Sequence, residues 1–248
     1  MKSDFRIIHF SPREKPNMKK GIVKIYDEVA PTYELINHIL TFGLDLIWRK
    51  RTARMAAKIG RSRLLDVCCG TGELARNIAA LAREKTELYG VDGSFTMIFH
   101  AKNKKHLGNV HFTIAEAGSL PFPDHSFDLI TISFSARNLN PDPQAMLSYL
   151  REFCRILKPG GNFINLETSQ PPLKFIKKLY HLYIRLVIKP VGYFISGSRA
   201  GYDYLSYTMP RFYAAPEFSA LCLKAGFSKI RHRLLFLGVA AIHSAKKE

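Results

Sequence analysis

Hydrophobic positions along this chain recur in two rhythms. From about Ile22 to Ile59 they return at helical spacing, with Pro31 as a breaker and Thr41-Phe42-Gly43 as a turn, which predicts a helical cap. Short apolar runs bounded by turn residues follow, predicting strands at Arg63–Val67, Glu87–Val91, Val110–Ala115, Phe127–Ser133 and Asn162–Glu167. Between them the spacing predicts helices opening at Gly72, from Ser94 to about Lys105, and from Pro143 to Leu157. After Pro171-Pro172 comes a basic, apolar segment, Leu173 to Ser196, and an aromatic loop through Tyr213. A helix from Pro216 to Ala225, a turn at Gly226 and two strand-like runs, Lys229–Leu234 and Phe236–His243, end the pattern.

Strands separated by helices predict an α/β fold with a mostly parallel sheet of seven strands and helices on both faces. The helical cap (residues 21–60) precedes the sheet and a helical insertion (173–213) precedes its last two strands, all within one domain spanning residues 21–248. Residues 1–20, polar and basic with Pro12 and Pro16, read as a flexible lead-in. At 248 residues, one substantial core suffices.

Composition narrows the setting. Hydrophobic residues at 47% and charged residues at 23% are near the globular average, so extensive disorder is not expected. No stretch approaches the roughly 20 apolar residues of a spanning helix, and the N-terminus lacks the apolar core of a secretory signal, which predicts a cytoplasmic location. Cys68, Cys69, Cys154 and Cys222 form no C-x-x-C pair, so they read as reduced packing residues, and no metal site is expected. A formal charge of +17 favours nucleic acid, an anionic membrane or an anionic small molecule without choosing among them. Between Thr168 and Tyr202 there is no acidic residue, while Lys174, Lys177, Lys178, Arg185, Lys189 and Arg199 interleave with apolar positions. Such a helix can lie at the inner face of an anionic bilayer, or pack on the sheet with a solvated basic face.

The candidate chemistry lies where the first strand, Leu64-Leu65-Asp66-Val67, runs into Cys68-Cys69-Gly70-Thr71-Gly72 and a helix opens. Glycines there let the backbone bend tightly and approach a ligand. Gly70-x-Gly72-x-x-Ala75 fits a dinucleotide fingerprint, and Asp92, twenty residues beyond Gly72, is placed to accept ribose hydroxyls. That much indicates a nucleoside ligand. Asp66, directly before the glycine turn, would repel a pyrophosphate but suits a ligand bearing sulfonium and ammonium groups. Downstream, Ala115-Glu116-Ala117, Leu120-Pro121-Phe122, Phe127-Asp128 and Leu157-Lys158-Pro159-Gly160-Gly161 resemble the later motifs of class I (Rossmann-like) methyltransferases.

The flanks sharpen the resemblance. Tyr26-Asp27-x-x-Ala30-x-x-Tyr33, Trp48-Arg49, the run LPFPDHSFDLITISF (residues 120–134), Arg137-Asn138, Leu166-Glu167, Tyr204-Leu205, Ala225-Gly226-Phe227 and the run GVAAIH (residues 238–243) resemble the ubiquinone/menaquinone biosynthesis C-methyltransferase family (UbiE/MenG) from about Lys20 onward. That resemblance implies an S-adenosylmethionine-dependent C-methyltransferase acting on a lipid-tailed polyprenyl hydroquinone. It places cofactor contacts at Thr71, Asp92, Glu116, Ala117 and Ser133, with Asp66, Gly70 and Gly72 shaping the loop, and sets Arg137 and Asn138 at the reacting ring. Arg137, with a pKa above about 12, suits stabilising a phenolate better than taking a proton. Tyr26, Tyr33, His38 and His243 are the candidates for a base, Tyr26 and Tyr33 being seven residues apart on one helical face. The chain differs from the family at Asp45-Leu46, where His-Arg is usual, and at Ser135-Ala136; a change of ring substrate or of turnover would be encoded there.

Two other readings compete. The charge would also suit an RNA-modifying methyltransferase, but no Asn/Asp-Pro-Pro-Tyr motif or RNA-binding module is present, and no nucleic-acid partner is expected. The altered motifs would fit a cofactor-binding, membrane-associated assembly subunit without turnover. A homodimer is left open.

Overall fold

The computed structural model describes residues 15–59, 63–82, 85–104, 107 and 109–248. Residues 1–14 of the lead-in lie outside these, and residues 15–20 form the opening turns of a helix. Lys15–Val29 (α1), Tyr33–Leu40 (α2) and Leu44–Ile59 (α3) make the cap. The chain breaks at Pro31 and again at Phe42 and Gly43, whose φ of 52° and 72° end α2 in the left-handed region that glycine tolerates.

The sheet follows as β1 (Arg63–Val67), β2 (Glu87–Asp92), β3 (Val110–Ile114), β4 (Phe127–Ser133), β5 (Leu157–Thr168), β6 (Phe227–Leu235) and β7 (Ala240–Lys247). Its order is β3-β2-β1-β4-β5-β7-β6; β7 is antiparallel to both neighbours and the other pairings are parallel. Helices α4 (Glu73–Ala79), α5 (Phe95–Lys102), α6 (Pro143–Ile156) and α10 (Ala215–Lys224) connect the strands. The expected seven-stranded, mostly parallel sheet is therefore present.

All seven residues of β4 are buried, because a central parallel strand is covered on both faces and cannot alternate with polar residues. Its neighbours sort by the two-residue period. Leu64, Leu129, Ile164 and Ile242 enter one apolar layer, while Leu65, Ile130, Phe163 and Ala245 enter the opposite one. Helix starts follow capping chemistry. Ser94 Oγ accepts the Met97 N–H at 3.0 Å to open α5, and Asp142 Oδ1 accepts the Ala145 N–H at 2.9 Å, with Pro143 in the first turn of α6.

Three local expectations need correction. The aromatic loop before Tyr213 contains a helix, α9 (Arg199–Thr208), opened by Ser198 Oγ, which accepts the Gly201 N–H at 3.2 Å. The last strand starts at Ala240, not Phe236, since Phe236, Leu237 and Gly238 have φ of 39°, 57° and 94° and form the turn of the β6–β7 hairpin. Strand β5 extends back to Leu157, so the Pro-Gly-Gly motif lies within it beside a bulge in the pairing with β4.

The insertion opens with α7 (Lys174–Tyr183), passes through a widened π turn at Ile184–Ile188 and continues as α8 (Lys189–Ser196). Pro190, in the first turn of α8, removes a helical donor at this joint. Tyr180, Ile184 and Ile188 pack with Val29, Ile36, Leu40 and Tyr202, so cap and insertion share one apolar roof. Among the described residues, no helix is long and apolar enough to cross a membrane.

Packing in the roof is tight where α8 meets α9. A Cβ at Gly192 would stand 2.1 Å from the Tyr202 ring. Gly192→Ala is expected to cost about 1–3 kcal/mol through overpacking, read from the urea midpoint. Gly21→Ala, in open space on α1, serves as the control expected to be neutral or slightly stabilising.

Candidate functional site

Strand order reverses beside β1: the chain proceeds from β1 outward to β2 and β3, then returns to place β4 on the other side. Diverging connections leave a crevice at the carboxyl ends of β1 and β4. The turn that fills this point is strained in a useful way. Cys68, Gly70 and Gly72 have φ of 51°, 55° and 79°, curling the backbone into a tight turn. The Cys69 N–H donates to the Val91 carbonyl at 3.0 Å and the Gly72 N–H to the Cys69 carbonyl at 2.9 Å. A Cβ at Gly72 would press on Leu107 Cδ1 at 3.0 Å and Ala101 Cβ at 3.3 Å, so close packing as well as φ demands glycine there.

Asp92 fixes the turn. Its Oδ2 accepts the Gly70 N–H at 2.8 Å and its Oδ1 the Ser94 N–H at 2.9 Å. Burial pushes its pKa above the usual carboxylate range despite those bonds. Ser94 Oγ in turn donates to Asp27 Oδ1 at 2.5 Å, tying α1 to the same corner.

Over the turn opens a cleft that is continuous with solvent. Of the expected cofactor residues, Gly70, Thr71, Asp92, Glu116, Ala117 and Ser133 line it; of the expected catalytic residues, Tyr26, Tyr33 and Asn138 do. Asp66, Gly72 and Arg137 stand behind its wall. Asp66 is fully buried: Thr131 Oγ1 donates to its Oδ1 at 2.7 Å, its Oδ2 has no hydrogen-bond partner, and burial pushes its pKa up to about 7.

Arg137 sits on Glu167. Its Nη1 donates to Glu167 Oε1 at 3.1 Å and its backbone N–H to Oε2 at 3.2 Å, while the Thr168 N–H and Oγ1 also donate to Oε1. Burial opposes the guanidinium charge, but Glu167 outweighs it and raises the pKa above the usual value. Asn138 Nδ2 donates to the Tyr26 hydroxyl at 2.6 Å, and the Tyr26 and Tyr33 rings meet edge-on at 5.8 Å. Burial raises both phenol pKa values, so both remain protonated at neutral pH. Arg137 Nε and Asn138 Oδ1 are buried without hydrogen-bond partners.

The two histidine candidates lie elsewhere. His243 is buried against Phe218, its Nε2 donates to the Ala215 carbonyl at 3.0 Å, and burial lowers its pKa to about 4. It is a packed residue outside the cleft wall. His38 pairs through Nδ1 with Asp45 Oδ2 at 2.9 Å, and its Nε2 lies 3.7 Å from Glu73 Oε2. Glu34, His38 and Glu73 bring three ligand-type atoms within 4.8 Å of one another, a corner already neutralised by the Lys104 ammonium, which pairs with Glu34. Sequence reasoning missed several wall residues, among them Arg49, Glu73, Met97 and Tyr149. Arg49 was visible only as half of the Trp48-Arg49 pair, and Glu73 only as the residue after the glycine turn.

The ubiE/COQ5 methyltransferase family model matches residues 14–247. A demethylmenaquinone methyltransferase of Staphylococcus haemolyticus is 36% identical over 232 residues, covering 93% of this chain and 95% of that protein. The ubiquinone/menaquinone biosynthesis C-methyltransferase UbiE of Geotalea daltonii is 34% identical over 91% of this chain and 96% of its own length. Among solved structures, a SAM-dependent methyltransferase of Thermotoga maritima superposes with a TM-score of 0.65 at 20% identity, over 91% of this chain and 99% of that one, a likeness of fold.

Asp66 makes stability depend on pH. Its folded pKa near 7 exceeds that of an unfolded carboxylate, about 4, so between these values the folded state holds a proton the unfolded state releases. Its contribution therefore falls as pH rises through that window and stays low above about 7. The urea midpoint of Asp66→Asn relative to the parent chain should rise between about pH 4.5 and about pH 8; a constant difference would contradict the assignment.

Proposed function

The chain belongs to the ubiE/COQ5 methyltransferase family, and from that membership and the chemistry of the cleft we propose that it transfers the methyl group of S-adenosylmethionine to a ring carbon of a polyprenyl hydroquinone in respiratory quinone biosynthesis. The observation that carries the reading is an acidic cleft at the switch point of the sheet, backed by a buried Arg137–Glu167 pair.

The wall suits this cofactor. Asp92 stands at the tip of β2, where ribose hydroxyls can be accepted, and Glu116 and Ala117 follow β3 beside the place for adenine. Glu73, Asp92 and Glu116 in the wall, with the unpartnered Asp66 Oδ2 behind it, favour a ligand carrying sulfonium and ammonium charge. When bound, S-adenosylmethionine supplies the electrophilic methyl group. Everything else falls to the protein.

A phenol with a pKa of about 10 is a weak carbon nucleophile until its proton leaves. Arg137, held as a cation, lowers that cost by favouring the phenolate, and its unpartnered Nε together with Asn138 Oδ1 offers polar contacts to a ring hydroxyl. Glu167 accepts four hydrogen bonds, two of them from Arg137, and so orients that guanidinium. Tyr26 and Tyr33, protonated and half-buried in the cleft wall, orient the ring and keep water out.

The roof supports a lipid-tailed acceptor. Phe175, Leu179, Leu182 and Leu186, at i, i+4, i+7 and i+11, form an exposed apolar stripe, with Tyr180, Ile184 and Ile188 buried. Lys174, Lys178 and Arg185 are exposed on the same helix. This combination suits peripheral seating on the anionic inner face of a membrane.

Radiolabelled methyl should pass from S-adenosylmethionine to reduced demethylmenaquinones or demethylated ubiquinone precursors; label only in bulk RNA, or none despite cofactor binding, would reject the proposed acceptor. Asp92→Ala should weaken cofactor binding by about 100-fold or more. Arg137→Gln, with folding confirmed by thermal melting, should lower kcat about 10²–10³-fold while cofactor affinity stays within about threefold. Flotation with liposomes should require anionic lipid and be lost when Phe175 and Leu179 are both replaced by Asp; flotation indifferent to lipid charge would rule out the membrane reading.

A further inference from the structure

The cleft wall holds three carboxylates, Glu73, Asp92 and Glu116, and one guanidinium, Arg49; no other Lys, Arg or His is found among the described residues that line it. Arg49 projects from α3 and is 6% exposed. Its Nη1 donates to Ser133 Oγ at 2.8 Å, and its guanidinium carbon lies 5.0 Å over the Phe134 ring. Nε has no hydrogen-bond partner, lying 3.7 Å from Asp45 Oδ2 and 3.8 Å from Glu73 Oε2.

Both nearby carboxylates have other partners. Asp45 accepts from Thr41 Oγ1 at 2.8 Å and pairs with His38 at 2.9 Å. Glu73 pairs with Arg76 at 3.1 Å and lies 4.0 Å from Lys104 Nζ. Arg49 is thus clamped in direction, with its positive charge presented to the cleft beside Ser133.

Position gives this charge a role. Ser133 ends β4, Asp92 ends β2, and Glu116 follows β3, in the order β3-β2-β1-β4. At about 4.8 Å per strand, the end of β4, where Arg49 meets Ser133, stands roughly 10 Å from the end of β2 and roughly 14 Å from the end of β3. An adenosyl ligand with an amino-acid arm spans that interval, and its far end carries a carboxylate that three of the four charged wall residues would repel.

We propose that Arg49 receives the α-carboxylate of the methionine arm of S-adenosylmethionine, and so sets which adenosyl sulfonium compounds the cleft accepts. The assignment rests on the cofactor reading above. Arg49 binds and orients; the reacting atoms are not among its contacts.

Calorimetric titration of the full chain with S-adenosylmethionine and with its decarboxylated analogue, whose arm ends in an amine alone, tests this directly. The parent chain should bind S-adenosylmethionine about 10- to 100-fold more tightly than the analogue. Arg49→Met should erase that preference by weakening S-adenosylmethionine while leaving the analogue within about threefold, and Arg49→Lys should restore part of it. Equal affinity of the parent chain for the two ligands overturns the assignment even if no variant folds. An Arg49→Met variant that loses both ligands equally also overturns it. A parent chain that binds neither ligand refutes the cofactor reading itself.

Discussion

A single carboxylate organises the centre of this molecule. Asp92 accepts backbone N–H groups from Gly70 and Ser94, joining the turn after β1 to the start of α5 across the sheet's carboxyl edge. Hydrogen bonds to an ionised acceptor are shorter and stronger than neutral ones, and two of them hold a backbone that three left-handed residues would otherwise leave soft. Burial raises the pKa of Asp92, while the same backbone hydrogen bonds that fix the turn oppose that rise. Through Ser94 Oγ and Asp27 the cap is drawn to the same corner, so the cleft floor and one cleft wall share an anchor.

Charge in the cleft is divided by depth. Toward solvent the wall is acidic, with Arg49 as the exception. Behind it lies the buried Arg137–Glu167 pair, in which backbone and threonine donors also bond the Glu167 carboxylate while Arg137 Nε has no partner. Removing two charges from water is costly, and a pair kept under such cover is better explained by what it presents than by the stability it adds. What it presents is a guanidinium whose buried Nε has no hydrogen-bond partner, among phenols whose pKa values burial raises; Tyr204, pushed up to about 12, belongs to the same group.

The sheet was legible because its signal is local: strands of the central layers read as unbroken apolar runs and their helices begin at Ser, Asp or Pro. What failed was decided by contacts distant in sequence or by backbone geometry. Helix α9 reads as an aromatic loop because Tyr202, Tyr204 and Tyr207 carry no clear helical stripe until α8 supplies the surface against which Tyr202 is buried. The β6–β7 turn hides inside an apolar run, since nothing in Phe236-Leu237 announces positive φ. In the site, the glycine turn and Asp92 were visible from spacing. Arg49 was not, because it reaches the cleft from a cap helix 84 residues from its partner Ser133.

The positions singled out in the sequence at Asp45 and Ser135-Ala136 differ in their surroundings for the same reason. Asp45 is 1% exposed and does not line the cleft; it receives His38 and Thr41 and faces Arg49, so it acts on a ligand only through the direction of that guanidinium. Ser135 lines the cleft, with its hydroxyl donating to the Cys68 carbonyl at 3.3 Å and the Ser133 carbonyl at 3.2 Å. It thereby joins the first-strand turn to the end of β4, the two walls between which the reacting groups must meet. Ala136 beside it is buried among apolar side chains and contributes shape alone. Ser135 thus lies in the cleft wall, whereas Asp45 lies outside it among the charged groups of the cap.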